Sequence, residues 1–153
     1  MTPGRSVAAE CELRGIGAVV SGCIDLLDGK GAEDTLIVAL GGPPAEYVLA
    51  GREGGKGGYW PRVWAARGLL YAWSGDAETA IIRATTDEAW RVREMAAKVI
   101  ARHRVGDALD AVVALKDDPV SRVRSAADWA VMILWAGTSS RRGPARPCPA
   151  EPA

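Results

Sequence analysis

The chain has 153 residues, of which 48% are hydrophobic, enough to build one domain with a hydrophobic core. Its 19 basic and 19 acidic side chains balance, so no overall charge favours nucleic acid or a membrane surface as a partner. The three cysteines lack metal-ligand spacing, which argues against a disulfide framework or a zinc cluster and favours a reducing, cytoplasmic environment.

The first part of the chain, residues 1–42, is predicted to form a helical cap. Apolar residues step by three and four along 7–28, which predicts one long helix there, and 33–40 is predicted to be a short second helix. The longest uncharged run in this region spans ten residues. A membrane crossing requires roughly 20, so no membrane association is expected. The stepping residues are Leu13, Ile16, Val20, Cys23 and Leu27.

A glycine-rich segment, GREGGKGGYWPRVW at 51–64, joins two helices that are predicted at 43–51 and 61–73. It lacks the preceding strand, the first glycine and the hydroxyl residue of a nucleotide-binding P-loop, so we exclude nucleotide hydrolysis there. The segment is either a plain connection or a binding loop whose basic side chains surround a helix start, where unpaired N–H groups attract anions. The candidate binding residues are Arg52, Lys56, Gly57, Gly58, Tyr59, Trp60, Arg62 and Trp64.

The C-terminal half of the chain contains a repeated unit. GDAETAIIRATTDEAWRVREMA begins at Gly75 and GDALDAVVALKDDPVSRVRSAA begins at Gly106, with nine identities and no gap. We term the step from Gly75 to Gly106 the repeat offset. Each unit predicts two helices, because apolar residues recur with helical spacing in both halves of the unit. Asp87 and Asp118 are predicted to cap the second helices, and Pro119 suits the first helical position.

These elements predict an all-α fold, an α-α superhelix of about three helical hairpins over residues 43–136. A unit this short cannot bury its apolar face alone, so neighbouring units must stack. The cap precedes the hairpins, and the stretch 137–153 is predicted to be a disordered tail because it is rich in proline, serine and arginine without apolar periodicity.

Both units contain the pattern D-x-x-x-x-V-R-x-x-A, as DEAWRVREMA and DPVSRVRSAA, and PRVWAARGLL is a looser copy in which Trp64 is placed at the arginine position. With this pattern the sequence resembles HEAT repeats, in their short bacterial form, over about residues 43–135. The resemblance implies a HEAT-like solenoid that serves as a scaffold for other proteins. Some bacterial relatives attach bilins to phycobiliproteins, and one group is DNA glycosylases that act on alkylated purines.

Arginines recur near the starts of the second helices, and stacking is expected to align them along one edge. They form either a basic strip for a carboxylate-rich or phosphate-rich partner, or ion pairs with acidic residues of the adjacent turns. Internal pairing is favoured for Arg93 and Arg124, whereas Arg91 and Arg122 are interpreted as surface groups. The acidic candidates for pairing are Asp87, Asp117 and Asp118, and Arg62 is the remaining arginine of the edge.

The aromatic residues and the single histidine are assigned from their place in the helices. Trp64 and Trp90 are predicted to be exposed because they lie off the alanine and leucine stripe, and Trp and Arg are favoured at binding hot spots. His103 lies at a stripe position near a helix end, which indicates a structural role. No Ser–His–Asp set and no metal-ligand cluster is evident, so we expect no catalytic residues, no cofactor and no metal.

Three classes of function remain, with enzymatic activity the less favoured. A non-catalytic adaptor would bind a protein partner through its concave face or the glycine and arginine edge. The alternative is nucleic-acid binding or DNA repair like that of the alkylpurine glycosylases, since 51–73 holds four basic side chains against one acidic and 83–104 holds six against three. A lyase acting on a protein-bound chromophore is the least supported, because Cys148 lies in the tail without preorganised neighbours.

Overall fold

The computed structural model describes residues 1–51 and 58–141, with the side chains of 138–141 excepted. These residues form helices and no strand, which confirms the predicted all-α fold. The candidate binding residues Arg52, Lys56 and Gly57 lie outside the described residues, as does Cys148. The α-helices are α1 (Pro3–Arg14), α2 (Ile16–Leu27), α3 (Asp34–Gly41), α4 (Pro43–Leu49), α5 (Tyr59–Gly68), α6 (Glu78–Ala84), α7 (Trp90–His103), α8 (Leu109–Ala114) and α9 (Ser121–Arg141).

The two predicted repeats have the same main elements, displaced by the repeat offset, and differ in a 3₁₀ turn at Leu115–Asp117 that follows α8 and has no counterpart after α6. Short 3₁₀ turns at Gly75–Ala77 and Gly106–Ala108 lead into α6 and α8, which begin at Glu78 and Leu109. The second helices α7 and α9 begin at Trp90 and Ser121, which are separated by the same offset. The periodicity of the sequence is therefore a periodicity of the structure.

The hairpins stack with their second helices side by side. Helix α7 packs between α5 and α9, while α6 packs on α7 and α8 packs on α9. The contacts are made by small and branched residues that are fully buried, as the alanine pattern predicted. Small side chains let helix backbones approach closely, so alanine at matching positions of successive units fits stacking. Buried residues of the seam include Val92, Ala96, Ala97, Val123 and Ala127.

The predicted long helix at 7–28 is wrong, because the chain breaks at Gly15. Gly15 has a φ of 88°, a conformation that glycine adopts at little cost, and its N–H donates to the carbonyl of Cys11 to end α1. Because of the break, the first two residues of the predicted apolar series face solvent. Leu13 is 77% exposed, and Ile16 is also exposed. The buried side chains of α1 and α2 are instead Val7, Val19, Val20, Cys23 and Leu26.

The first hairpin also differs from the prediction. Helix α4, predicted as the partner of α5, packs against α3, whereas α5 packs against α2 and α3. Helix α2 further contacts α6 and the turn before it, and Asp28 just beyond its end pairs with Arg83 of α6 at 2.9 Å. Helix α2 therefore occupies the first-helix position beside α5, and α3 and α4 are inserted between the two.

The C-terminal end of the repeats lies further along than the sequence indicated. Helix α9 continues to Arg141, so the predicted boundary between residues 136 and 137 falls inside a helix. Residues 142–153, the rest of the predicted tail, lie outside the described residues.

Candidate functional site

Ion pairs connect each second helix to the turn of the following hairpin. Arg62 of α5 donates from Nε to Asp87 at 2.8 Å, and Arg93 of α7 donates from Nε to Asp118 at 2.7 Å. In both pairs the second bond, from Nη2, measures 3.2 Å, so the guanidinium binds the carboxylate in bidentate geometry. The two pairs are copies related by the repeat offset, and together they form what we term the arginine–aspartate ladder.

The N-cap position predicted for the two aspartates is wrong, because α7 and α9 begin three residues after them, at Trp90 and Ser121, and Pro119 likewise precedes α9 instead of opening it. Asp87 accepts a hydrogen bond from the N–H of Ala89, and Asp118 accepts one from the N–H of Val120, each at 2.9 Å. The hydrogen bonds from Arg93 lower the pKa of Asp118 below its ordinary value, against the opposing effect of burial. Each aspartate therefore holds the turn that leads into one helix and binds the arginine of the preceding helix at the same time.

The ladder confirms internal pairing for Arg93 and changes the assignment of the first unit. Arg62, not Trp64, holds the arginine position, since the repeat offset carries Arg62 onto Arg93. Trp64 is only 4% exposed and packs on Gly41, so its predicted exposure is wrong. Arg124 donates to the backbone carbonyl of Asp118 at 2.7 Å, which places it at the turn as well.

A row of alternating tryptophan and arginine side chains runs beside the ladder, across the starts of α5, α7 and α9. The guanidinium of Arg91 lies 4.5 Å from the ring centroid of Trp90 and 5.4 Å from that of Trp60. The guanidinium of Arg122 lies 5.4 Å from the same Trp90 ring. These distances are within the range of cation–π attraction. We term Trp60, Trp90, Arg91 and Arg122 the tryptophan–arginine edge.

The edge has one arginine that no described carboxylate neutralises. Arg122 pairs with Glu94 at 3.1 Å, and Glu94 is shared with Lys98 at 2.9 Å. No carboxylate of the described residues pairs with Arg91, which is held by the two indole rings. Arg122 is thus exposed, as interpreted, whereas Arg91 is half-buried, and Trp90 beside it is half-buried and not exposed as predicted.

The start of α5 continues the edge toward the glycine-rich segment. Gly58 precedes the helix in the left-handed conformation, with φ of 63°, and no side chain of the described residues caps the first N–H groups. Tyr59 contacts Trp60 with ring centroids 5.1 Å apart, and Trp60 stacks on Trp64 at 6.2 Å. Trp60 therefore contacts both Arg91 and Tyr59, while the candidates Arg52, Lys56 and Gly57 lie outside the described residues.

His103 has a structural environment, as predicted. Its Nε2–H donates to the carbonyl of Leu69 at 2.7 Å, and its ring stacks on Trp73 with centroids 4.4 Å apart. Burial lowers the pKa of His103, which favours the neutral imidazole that this packing needs. The ring therefore joins the end of α7 to the turn after α5.

Two grooves on the surface were not predicted from the sequence. One groove, of about 500 Å³, lies at the start of α1 and the α3–α4 junction, and another, of about 350 Å³, crosses α7 and α9 beside the turn that follows α5. The groove across α7 and α9 has basic residues on one side and apolar residues on the other. The repeat offset could have found it, since positions 98 and 102 become 129 and 133 in the next repeat. Its lining residues are Leu70, Lys98, Ala101, Arg102, Arg104, Trp129 and Ile133.

Comparison with known proteins agrees with the repeat geometry. Residues 59–132 match the family model of HEAT repeats. No curated protein and no solved structure matches the chain. None of the helices in the described residues is both long enough and apolar enough to cross a membrane. The repeated hairpins, their arginine–aspartate ladder and the family match identify residues 59–132 as a segment of HEAT repeats.

Proposed function

We propose that this protein is a non-catalytic adaptor that binds a protein partner through the tryptophan–arginine edge. HEAT repeats are in general scaffolds for protein–protein interaction, which supports the class of function. The particular surface is supported by the arrangement of Arg91 between two tryptophans. Tryptophan and arginine are also the residues that most often dominate binding energy at interfaces.

The observation that carries the proposal is the state of Arg91. Its guanidinium lies over the rings of both Trp60 and Trp90, and it has no carboxylate partner among the described residues. Holding the side chain in place before binding reduces the entropy lost on association. A carboxylate of a partner could then form a charge-assisted hydrogen bond with a cation that is already oriented.

The residues that could carry out acid–base chemistry have structural partners, which favours an adaptor over an enzyme. Asp87 and Asp118 bind arginines and the backbone of the turns before α7 and α9, and His103 is packed and bonded to a carbonyl. A general acid or base requires a reactive group near the substrate rather than one engaged in packing.

The test is quantitative affinity capture with Arg91→Ala, using Arg5→Ala as the matched control. Arg5 is an exposed arginine of α1, so its removal changes net charge equally without touching the edge. Arg62→Ala would not serve, because Arg62 belongs to the ladder and its loss would disturb the fold. The recovered partner, once purified, is titrated against the wild type and both variants.

We expect Arg91→Ala to weaken binding of that partner about fivefold or more, the effect of a truncation that costs about 1 kcal/mol. Arg5→Ala should bind like the wild type. Equal binding by all three proteins would contradict the proposal. A gel shift with duplex and alkylated DNA at two salt concentrations tests the alternative, and salt-sensitive DNA binding that Arg91→Ala abolishes would favour it.

A further inference from the structure

We propose that the groove between α7 and α9 is a second docking surface, which takes an acidic segment of a protein partner that also carries apolar side chains. This inference goes beyond the edge proposed above and does not depend on it. It follows from the unequal chemistry of the two walls of the groove.

One wall of the groove is basic and comes from the second half of α7 and the residue that follows it. Lys98 and Arg102 are exposed and one helical turn apart, so they lie on the same face of the helix, and Arg104 follows just beyond its end. Lys98 pairs with Glu94, but the described residues hold no carboxylate within ion-pair distance of Arg102 or Arg104. The positive charge of this wall therefore exceeds the negative charge beside it.

The other wall is apolar and comes from α9. Trp129 is 54% exposed, an unusual state for so large an apolar side chain, and Ile133 lies one turn further along the helix. Leu70 and Ala101 also line the groove. The acid nearest in sequence to Trp129, Asp128, is directed to Lys116, with 3.8 Å between the charged atoms.

Charge complementarity between these walls and an occupant requires carboxylates on one side and apolar groups on the other. An amphipathic acidic peptide satisfies both conditions, since its acids would face Lys98 and Arg102 while its apolar residues cover Trp129 and Ile133. Burying the exposed indole supplies the hydrophobic contribution, and the arginines supply orientation and specificity.

A nucleic acid fits the groove less well, because the basic row does not continue across the repeats. The repeat offset carries the positions of Lys98 and Arg102 onto Trp129 and Ile133 in the next unit. In the preceding unit the residue that matches Arg102 is Tyr71, and Arg67, which matches Lys98, is half-buried and donates to the carbonyl of Leu40 at 2.7 Å. A phosphate backbone that crosses the repeats would need a cation at each step, and it would leave Trp129 without an apolar partner.

The test uses fluorescence anisotropy with a fluorescein-labelled peptide composed of glutamate and leucine. Two peptides of the same length serve as comparisons, one with lysine in place of glutamate and one with serine in place of leucine.

Arg102→Glu and Trp129→Ala change the two walls separately, and Arg5→Glu is the matched control for the change in net charge. Arg102→Gln is included as a milder variant, because Arg102 lies in the last turn of α7, where a cation also stabilises the helix end. Circular dichroism checks the fold of each variant.

We expect the glutamate–leucine peptide to bind, the lysine peptide not to bind, and the serine peptide to bind more weakly. Arg102→Glu should lower the affinity about tenfold or more, and Trp129→Ala about fivefold, while Arg5→Glu leaves it unchanged. The inference is overturned if the glutamate–leucine peptide does not bind the wild type, or if neither folded groove variant weakens its binding. The inference is also overturned if a single-stranded oligonucleotide binds the wild type more tightly than this peptide does, and if Arg102→Gln weakens the binding of that oligonucleotide.

Discussion

The two halves of this protein hold their helices together by different means. In the C-terminal half, polar ion pairs link each hairpin to the next, and the same contact recurs one unit later. In the N-terminal half, glycines let helices approach so closely that a side chain would not fit. Gly41 lies against the ring of Trp64, and Gly68 lies against Leu40 and Cys23.

This difference separates contacts that can be copied from contacts that cannot. An arginine and an aspartate at a fixed separation in the chain reproduce the same junction wherever the pattern occurs, so the sequence of one unit predicts the geometry of the next. A glycine contact depends on one particular side chain of another helix, so it produces no repeated pattern in the sequence. The copied ion pairs of the C-terminal half therefore account for its regular stacking. In the N-terminal half the glycine contacts are not copied, and the first hairpin uses α2 in place of α4.

The largest effect should come from a charge placed in the seam of the repeats. Val123 is fully buried among Ala97, Leu115 and Ala127, so Val123→Asp would bury a carboxylate without a partner. The cost, about 5 kcal/mol or more, equals the stability of many small domains. We expect the helical circular dichroism signal to be lost.

The matched control for this change is Val113→Asp on α8. Val113 is 44% exposed, so its carboxylate would remain in water and the variant should keep the helical signal of the wild type. Ala96→Asp, also in the seam, should unfold the chain like Val123→Asp. A soluble and fully helical Val123→Asp protein would show that the seam is not the core of the repeats.

An intermediate effect is expected from breaking one step of the ladder. Asp118→Asn keeps the shape of the side chain but leaves the guanidinium of Arg93 without its charged partner. Because both groups are largely buried, we expect a loss of about 3 kcal/mol in the free energy of unfolding at neutral pH. Asp117→Asn changes the exposed neighbouring residue and should have little effect. Urea unfolding monitored by circular dichroism measures both changes.

The pH dependence of the same variant tests whether charge is the cause. Arg93 lowers the pKa of Asp118 in the folded state, so the stability from this pair is fully present above the unfolded pKa of about 3.9. It is lost as the pH falls through the lower folded pKa, where the carboxyl becomes protonated. The difference between wild type and Asp118→Asn should therefore shrink in that acidic range, and a difference that stays constant would point to lost packing instead.

The sequence predicts the C-terminal half of the structure better than the N-terminal half. The repeat predicted the second and third hairpins and the pairing of Arg93, because equivalent residues of successive units have equivalent neighbours. It did not give the exact starts of α7 and α9, which lie three residues beyond the aspartates that were expected to cap them. The position of Arg62 was equally accessible, since it follows from the same offset. Applying that offset to every residue of the first unit would also have placed Trp64 away from the arginine position.

Other features could not be predicted from local pattern. The break at Gly15 depends on a backbone conformation that several glycines of this region could adopt, and nothing in the spacing of apolar residues selects one of them. The burial of Trp64 depends on Gly41, which lies on another helix earlier in the chain. The groove between α7 and α9 combines residues of two repeats with opposite chemistry, so only a comparison of equivalent positions across the repeat offset could have found it.

The smallest of the three stability effects is expected at Gly41, and it tests the N-terminal half directly. An added Cβ there would lie 2.7 Å from the fused ring atoms of Trp64 and 2.8 Å from the Cβ of Ala45. Since a buried indole cannot move aside easily, Gly41→Ala should lower the free energy of unfolding by about 2 kcal/mol through overpacking. This loss is the net effect, because the gain in helix propensity, about 1 kcal/mol, offsets part of the strain. Gly106→Ala is the matched control, because no atom lies within 4 Å of its added Cβ. If Gly41→Ala proved as stable as Gly106→Ala, close glycine packing would not be what joins α3 to α5.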